Sequence, residues 1–248
     1  MNFLKNENFS KGLVMPKGVE ELSIDTSLLK FLLNYCPNYR ATNLTNSNSL
    51  AKSLKIKSLY IKDERERFNL GSFKATGATY AIAKMAYKLL DNKRDVTRIT
   101  LGETLKPYTF VTASAGNHGI SMAVGARLFG SKAVVFLSET VPKSFSSKLE
   151  SYGARVIFSG KDYEESMKDA EKYSNKKDHV LLSDSTWDTC SSGVDVMEGY
   201  LILVEEIFDQ LAEAKKIDSI THVFLQAGVG GFAAAMAALI RKKFQASI

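Results

Sequence analysis

Lys74 is the residue of this chain best placed to do covalent chemistry. It lies in the run Gly71-Ser72-Phe73-Lys74-Ala75-Thr76-Gly77-Ala78. Before it, Ser58-Leu59-Tyr60-Ile61-Lys62-Asp63 alternates like a strand, and after it residues 79–90 carry apolar side chains at helical spacing. A lysine at a strand-to-helix junction can form a Schiff base with an aldehyde once burial or a cationic neighbour lowers its pKa. Read alone, a lysine in the first turn of a helix is more often a solvated charge. Two further segments bear on the choice. Val111-Thr112-Ala113-Ser114-Ala115-Gly116-Asn117-His118-Gly119 links an apolar run to a helical one; its small residues let the backbone approach a ligand, and Asn117 offers a donor and acceptors. Gln226-Ala227-Gly228-Val229-Gly230-Gly231 follows the strand-like Thr221-His222-Val223-Phe224-Leu225 and opens an alanine-rich helix. Free N–H groups at such a helix start suit a phosphate. The plain structural readings are a helix cap for the first and a tight β-α turn for the second.

The elements that must position these groups alternate between β and α. Lys132-Ala133-Val134-Val135-Phe136-Leu137, Ala154-Arg155-Val156-Ile157-Phe158 and the short His179-Val180-Leu181-Leu182 read as strands. Helices are expected from Val141-Pro142 to about Tyr152, over 163–174, and over 194–211, where seven apolar residues share one helical face. Residues 91–106, polar with charges of both signs, read as a surface excursion. The alternation predicts an α/β fold with parallel sheets covered by helices.

Taken in order, the three segments resemble the fold-type II pyridoxal-phosphate enzymes, the tryptophan synthase β superfamily that includes the threonine and serine dehydratases. The resemblance implies that Lys74 carries the cofactor next to Phe73. It implies that Ser114, Gly116 and Asn117 face the cofactor ring, and that Gly228, Val229, Gly230 and Gly231 hold its phosphate. Within the superfamily the chain is most similar to the diaminopropionate ammonia-lyases, from about Tyr39 to the C-terminus. The matching stretches are Lys62-Asp63-Glu64-Arg65-Glu66-Arg67-Phe68-Asn69-Leu70, Asp184-Ser185-Thr186-Trp187, Met197-Glu198-Gly199-Tyr200 and residues 221–230. That likeness implies β-elimination from 2,3-diaminopropionate to pyruvate and ammonia. Lys74 and Asp184 would be catalytic, with Asp184 near the distal amine; its plain reading is a loop or cap aspartate. It also implies two three-layer parallel-sheet domains: a larger, incomplete one over 1–111 and 183–248, and a smaller one inserted at 112–182.

Three departures from that family matter. Ala115 stands where an aspartate is expected, which moves the site towards serine and threonine dehydratase-like enzymes and towards L-substrates. Arg40-Ala41-Thr42-Asn43-Leu44 lacks the prolines of the family's Arg-Pro-Thr-Pro-Leu turn. Family members also continue well past the position of Ile248. The chain alone is therefore expected to turn over poorly and to aggregate, and a non-catalytic remnant that binds a phosphate ligand or a partner subunit stays open as an alternative.

Composition fits a cytoplasmic enzyme, and the resemblance implies amino-acid catabolism and, for a complete form, a homodimer. The 248 residues, 45% of them hydrophobic, can build a substantial core. Cys36 and Cys190 are too few for a disulfide framework. Met1-Asn2-Phe3-Leu4-Lys5-Asn6-Glu7 lacks the apolar core of a signal peptide, and the longest apolar run, 228–240, is too short to span a bilayer. The net charge of +6 comes from scattered lysines without interleaved aromatics, which argues against nucleic-acid binding. No metal site is expected.

Overall fold

The structure is a computed structural model that describes residues 22–91, 93 and 95–244. The reading of the first seven residues lies outside them. In chain order the elements are α1 (Ser27–Leu33), β1 (Leu44–Asn46), α2 (Asn48–Ser53), β2 (Tyr60–Lys62), α3 (Lys74–Leu89) and α4 (Arg98–Leu105), followed by β3 (Thr109–Ala113), α5 (Asn117–Leu128), β4 (Lys132–Leu137), α6 (Ser144–Ser151) and β5 (Ala154–Phe158). The chain continues through α7 (Tyr163–Ser174), β6 (His179–Leu181), α8 (Ser192–Glu213) and α9 (Gly231–Lys243).

The expected α/β alternation builds a parallel sheet in the order β5-β4-β3-β6. Its central strands are buried on both faces, which is why they read as unbroken apolar runs. Val111, Ala113, Val134 and Phe136 face one side, where Ala170 of α7 covers them. Phe110, Ala133, Val135 and Leu137 face the other, within a core that includes Met122 and Ala126 of α5. The sheet is thus the middle of three layers. β3 straddles the expected boundary at 112, with Thr109, Phe110 and Val111 on the side of the larger part.

Outside this sheet, the strands among the described residues form an antiparallel ribbon, Leu44–Asn46 against Tyr60–Lys62. Helices α3, α5, α8 and α9 pack together beside the sheet. α3 is pressed between α5 and α8, and is buried along most of its length. The contact with α8 depends on two glycines: a Cβ at Gly199 would lie 2.7 Å from the Gly77 Cα and 2.7 Å from the Thr76 carbonyl oxygen.

Three local readings differ from the sequence expectation. Residues 91–106 are not only a surface excursion: Thr97 caps α4 through the Thr100 N–H, and Leu101 and Leu105, one turn apart, are fully buried. α6 starts at Ser144 rather than at Val141, because Pro142 is spent in a turn whose carbonyl accepts from the Phe145 N–H. Residues 221–225, which alternate like a strand, are extended without a ladder partner among the described residues, and Phe224 is 86% exposed.

The proline-free turn at 40–44 is secured by an ion network instead. Arg67, fully buried, donates to both carboxylate oxygens of Glu206, at 2.8 and 2.7 Å, and to Glu64 and the Arg40 carbonyl. Glu206 also accepts from the Thr42 N–H and pairs with Lys62 at 2.7 Å. Burial opposes the Glu206 carboxylate, but Arg67 and Lys62 hold it below its ordinary pKa. The network ties α8 to the stretch that leads into Lys74.

Candidate active site

Lys74 is the first residue of α3, and its backbone is gripped from α5. The Ser121 hydroxyl donates to the Lys74 carbonyl at 2.8 Å and to the Ala75 carbonyl at 3.2 Å. Ser121 lies one helical turn beyond Asn117, so both belong to the α5 face turned towards α3. The Lys74 side chain is one-third exposed, and its Nζ donates to Asp184 Oδ2 at 2.6 Å. The two residues are 110 positions apart. Asp184 follows β6 by three residues, and the end of that strand is pinned by the buried His118, whose Nε2 lies 3.0 Å from the Leu182 carbonyl oxygen.

Burial works against the Asp184 carboxylate, yet positive charge beside it, on His118 when that ring is protonated and on Lys74, holds its pKa below the ordinary value. Burial also lowers the pKa of His118, against the pull of Asp184. At neutral pH His118 is therefore uncharged, and the Lys74 ammonium does the holding. With Nε2–H donating to Leu182, Nδ1 carries the lone pair, and it has no hydrogen-bond partner among the described residues.

The glycine turn closes the other side. A Cβ on Gly231 would sit 3.5 Å from the Asp184 carbonyl and 3.3 Å from the Met197 Cγ. Phe232, the next residue, packs its ring 4.2 Å from that of Phe73, and both rings meet Tyr200. Gly230 has φ +94°, a conformation that glycine adopts without steric cost. The N–H groups of 228–230 make no backbone hydrogen bond to a described residue. A Cβ at Gly116, Gly228 or Gly230 would meet nothing within 4 Å, so these turns are open to an approaching group.

The structure thus brings together Phe73, Lys74, Asp184 and Gly231 directly. Ser114, Gly116 and Asn117 enter at the start of α5, where the Ser114 hydroxyl lies 3.3 Å from the Gly116 N–H; Gly116 and Asn117 are exposed. Gly228 and Val229 stand further out, Val229 being 76% exposed. Three helix N-termini (α3, α5 and α9) therefore lie on or beside the lysine–aspartate pair; the first N–H groups of α3 are taken by Ser72 and Phe73, so it is the free N–H groups of α5 and α9, with the partial positive charges of the helix ends, that favour anionic groups. Sequence reasoning missed Ser121, His118 and Phe232 as parts of this arrangement. The spacing of Ser121 from Asn117 could have exposed the first; no local signal marks the other two.

The model of the family described as pyridoxal-phosphate dependent enzyme matches residues 35–247. The chain is 34% identical over 223 residues to the diaminopropionate ammonia-lyase of Salmonella typhimurium, covering 86% of this chain and 54% of that protein. It is 31% identical over 202 residues to that of Escherichia coli K12, covering 79% of this chain and 49% of the relative. The crystal structure of the Escherichia coli diaminopropionate ammonia lyase in apo form superposes with a TM-score of 0.79 and 26% identity, over 92% of this chain and 64% of that one. The chain spans about half the length of these curated relatives. The shared architecture is the fold-type II α/β fold, and with a lysine at the mouth of a buried helix and an open glycine turn beside it, the chain belongs to the pyridoxal-phosphate dependent enzyme family.

Proposed function

We propose that this chain holds pyridoxal 5'-phosphate on Lys74 and forms part of an ammonia-lyase that eliminates the β-amino group of 2,3-diaminopropionate. One observation carries the reading: the Lys74 amine meets Asp184 at 2.6 Å, and Gly231, which ends the open glycine turn, lies against the Asp184 backbone, where a Cβ would sit 3.5 Å from the carbonyl oxygen. These residues fit the cofactor. A partly exposed amine is available to its aldehyde, and unpaired N–H groups beside a positive helix end are available to its phosphate. When bound, the cofactor supplies an electron sink for the pair released at the substrate α-carbon.

The chain's own residues do the rest. Lys74 Nζ would hold the aldehyde, and as a free amine it would take or return a proton at the substrate. Asp184 Oδ2 favours the cationic form of an amine beside it, whether that of Lys74 or the substrate's distal ammonium. Ser121 keeps the first turn of α3 in register, and the Phe73–Phe232–Tyr200 cluster excludes water behind the lysine. Asn117, Gly116 and Ser114 would line the ring side, and 228–231 the phosphate side.

Ala115 favours a second reading, a serine or threonine dehydratase-like lyase, and in either case L-substrates over D. We place the larger domain at 1–111 and 183–248 and the smaller at 112–182. A homodimer and a cytoplasmic setting complete the proposal; they rest on the family and on the two unpaired cysteines. No described helix is long and apolar enough to cross a membrane.

The test is borohydride trapping of added pyridoxal phosphate, followed by peptide mapping and by assay of pyruvate release from diaminopropionate and from serine. Label on Lys74 and turnover of diaminopropionate in excess of serine support the proposal. Label elsewhere, or label unchanged in Lys74→Ala, removes the assignment.

A further inference from the structure

We infer that the chain carries a second ligand site, apart from Lys74, for a phosphorylated ligand with a flat body, of the nucleoside diphosphate or triphosphate class. A cavity of about 770 Å³ opens between residues 68–70, α4, the end of α5 and Tyr152. None of the residues assigned above to the cofactor or to catalysis lines it. Its volume falls in the range of small-molecule sites, roughly 300–1,000 Å³, and a lone inorganic anion would leave most of it unfilled.

The charge on its walls has one sign in excess. Arg98, Arg127 and Lys106 face a single carboxylate, Glu103. Lys106 and Glu103 pair at 3.6 Å. Among the described residues the Arg127 guanidinium reaches only the Ser151 carbonyl, at 3.5 Å, and no hydrogen bond or ion pair involves the Arg98 side chain. Arg98, without a carboxylate among the described residues, and Arg127, held by one long hydrogen bond, can thus turn their guanidinium groups to phosphate oxygens in the paired geometry that arginine favours. Between them the reachable apolar surface is the half-buried Tyr152 ring and Ile99, the last 74% exposed, with Phe68 and Phe129 buried behind it. Such a surface accepts the face of a planar ring.

The backbone of the wall is itself under strain. Phe68 and Asn69 have φ of +50° and +61°, the left-handed region that non-glycine residues avoid. Strain of this kind gathers at ligand clamps and switch segments. The strained pair follows directly on Arg67, whose buried guanidinium is fixed by Glu206, and precedes the α3 start at Lys74 by five residues. An occupant of the cavity would therefore press on the stretch that ends in Lys74.

The inference is independent of the proposed lyase activity, and its test needs no cofactor. Calorimetric titration of the full chain with ADP, adenosine and inorganic pyrophosphate, each separately, measures whether the two halves of the ligand are both recognised. ADP is expected to bind at least about tenfold more tightly than either fragment. Arg98→Ala with Arg127→Ala should weaken ADP about a hundredfold, about tenfold for each guanidinium removed. Both arginines are exposed, so thermal unfolding should be unchanged. Lys74→Ala should leave ADP affinity intact. ADP binding that survives loss of both arginines, pyrophosphate binding as tight as ADP, or no binding of ADP by about millimolar concentration would each overturn the inference. So would binding that disappears in Lys74→Ala, since the ligand would then occupy the lysine site.

Discussion

The contact between Gly77 and Gly199 makes a quantitative claim about how packing reaches the reactive lysine. Gly199→Ala adds one methyl group, 2.7 Å from the Gly77 Cα and 2.7 Å from the Thr76 carbonyl oxygen. Carbon atoms settle at about 3.5–4.0 Å from one another, so α3 and α8 must part locally by about 1 Å. In an isolated helix the change would stabilise, since alanine is favoured over glycine by about 1 kcal/mol. Overpacking opposes it by about 1–3 kcal/mol. Both obstructing atoms are backbone and cannot rotate aside, so the upper end applies and the net loss is about 2 kcal/mol. Gly77 lies one turn from Lys74, whose Nζ–Asp184 bond of 2.6 Å cannot absorb such a shift and remain a hydrogen bond. Urea unfolding should show a lower midpoint at unchanged slope, and trapping of added pyridoxal phosphate on Lys74 should fall in the same variant. A Gly199→Ala protein as stable as its parent would refute the reasoning, because helix propensity would then have outweighed a clash that the geometry says cannot be accommodated.

Other expectations follow from the buried polar groups. Glu206→Ala leaves Arg67 and Lys62 buried without their shared carboxylate; Arg67 keeps Glu64, so the loss should fall near the lower end of about 3–5 kcal/mol, and a loss under about 1 kcal/mol would contradict the network. His118 resists protonation when folded but binds a proton below about pH 6.5 when unfolded. Stability should therefore decline as pH falls below 6.5, by at most about 1.4 kcal/mol per unit; Asp184, whose pKa is held below 3.8, titrates outside that window. His118→Gln can still donate to the Leu182 carbonyl and should lose that part of the slope in urea midpoints compared at pH 7 and 5.5; an unchanged slope would place the titrating group elsewhere. The Cys36 thiol is buried and pushed up to about 12, so iodoacetamide at pH 8 should label it only on unfolding, which labelling followed by peptide mapping would reveal.

Much of the local structure was legible in the residues. α7, β4 and β5 have the bounds that periodicity implies, because each is specified by its own neighbours: the Asp162 side chain caps α7 through the Glu165 N–H, β4 after Lys132 is a buried apolar run, and the edge strand β5 is apolar but for Arg155. Where a segment depends on distant partners, the pattern misleads. α4 hides two core leucines among charges. The stretch at 221–225 alternates correctly, yet a strand exists only by virtue of a ladder, and no described residue supplies one.

The candidate site divides along the same line. Its chemical parts are local: a lysine opening a helix, an asparagine turn and a glycine turn, each written in residues close together in the chain and readable there. Nothing in that order says that Lys74 meets Asp184 across 110 positions, that His118 pins the strand end before that aspartate, or that Phe232 covers Phe73. Those relations arise because α3, α5, α8 and α9 pack at fixed separations, held by the glycine pair at 77 and 199 and by the Arg67–Glu206 network. Pairings of that range carry no local signature, because side-chain volume and burial, rather than spacing along the chain, decide which surfaces come within hydrogen-bonding distance.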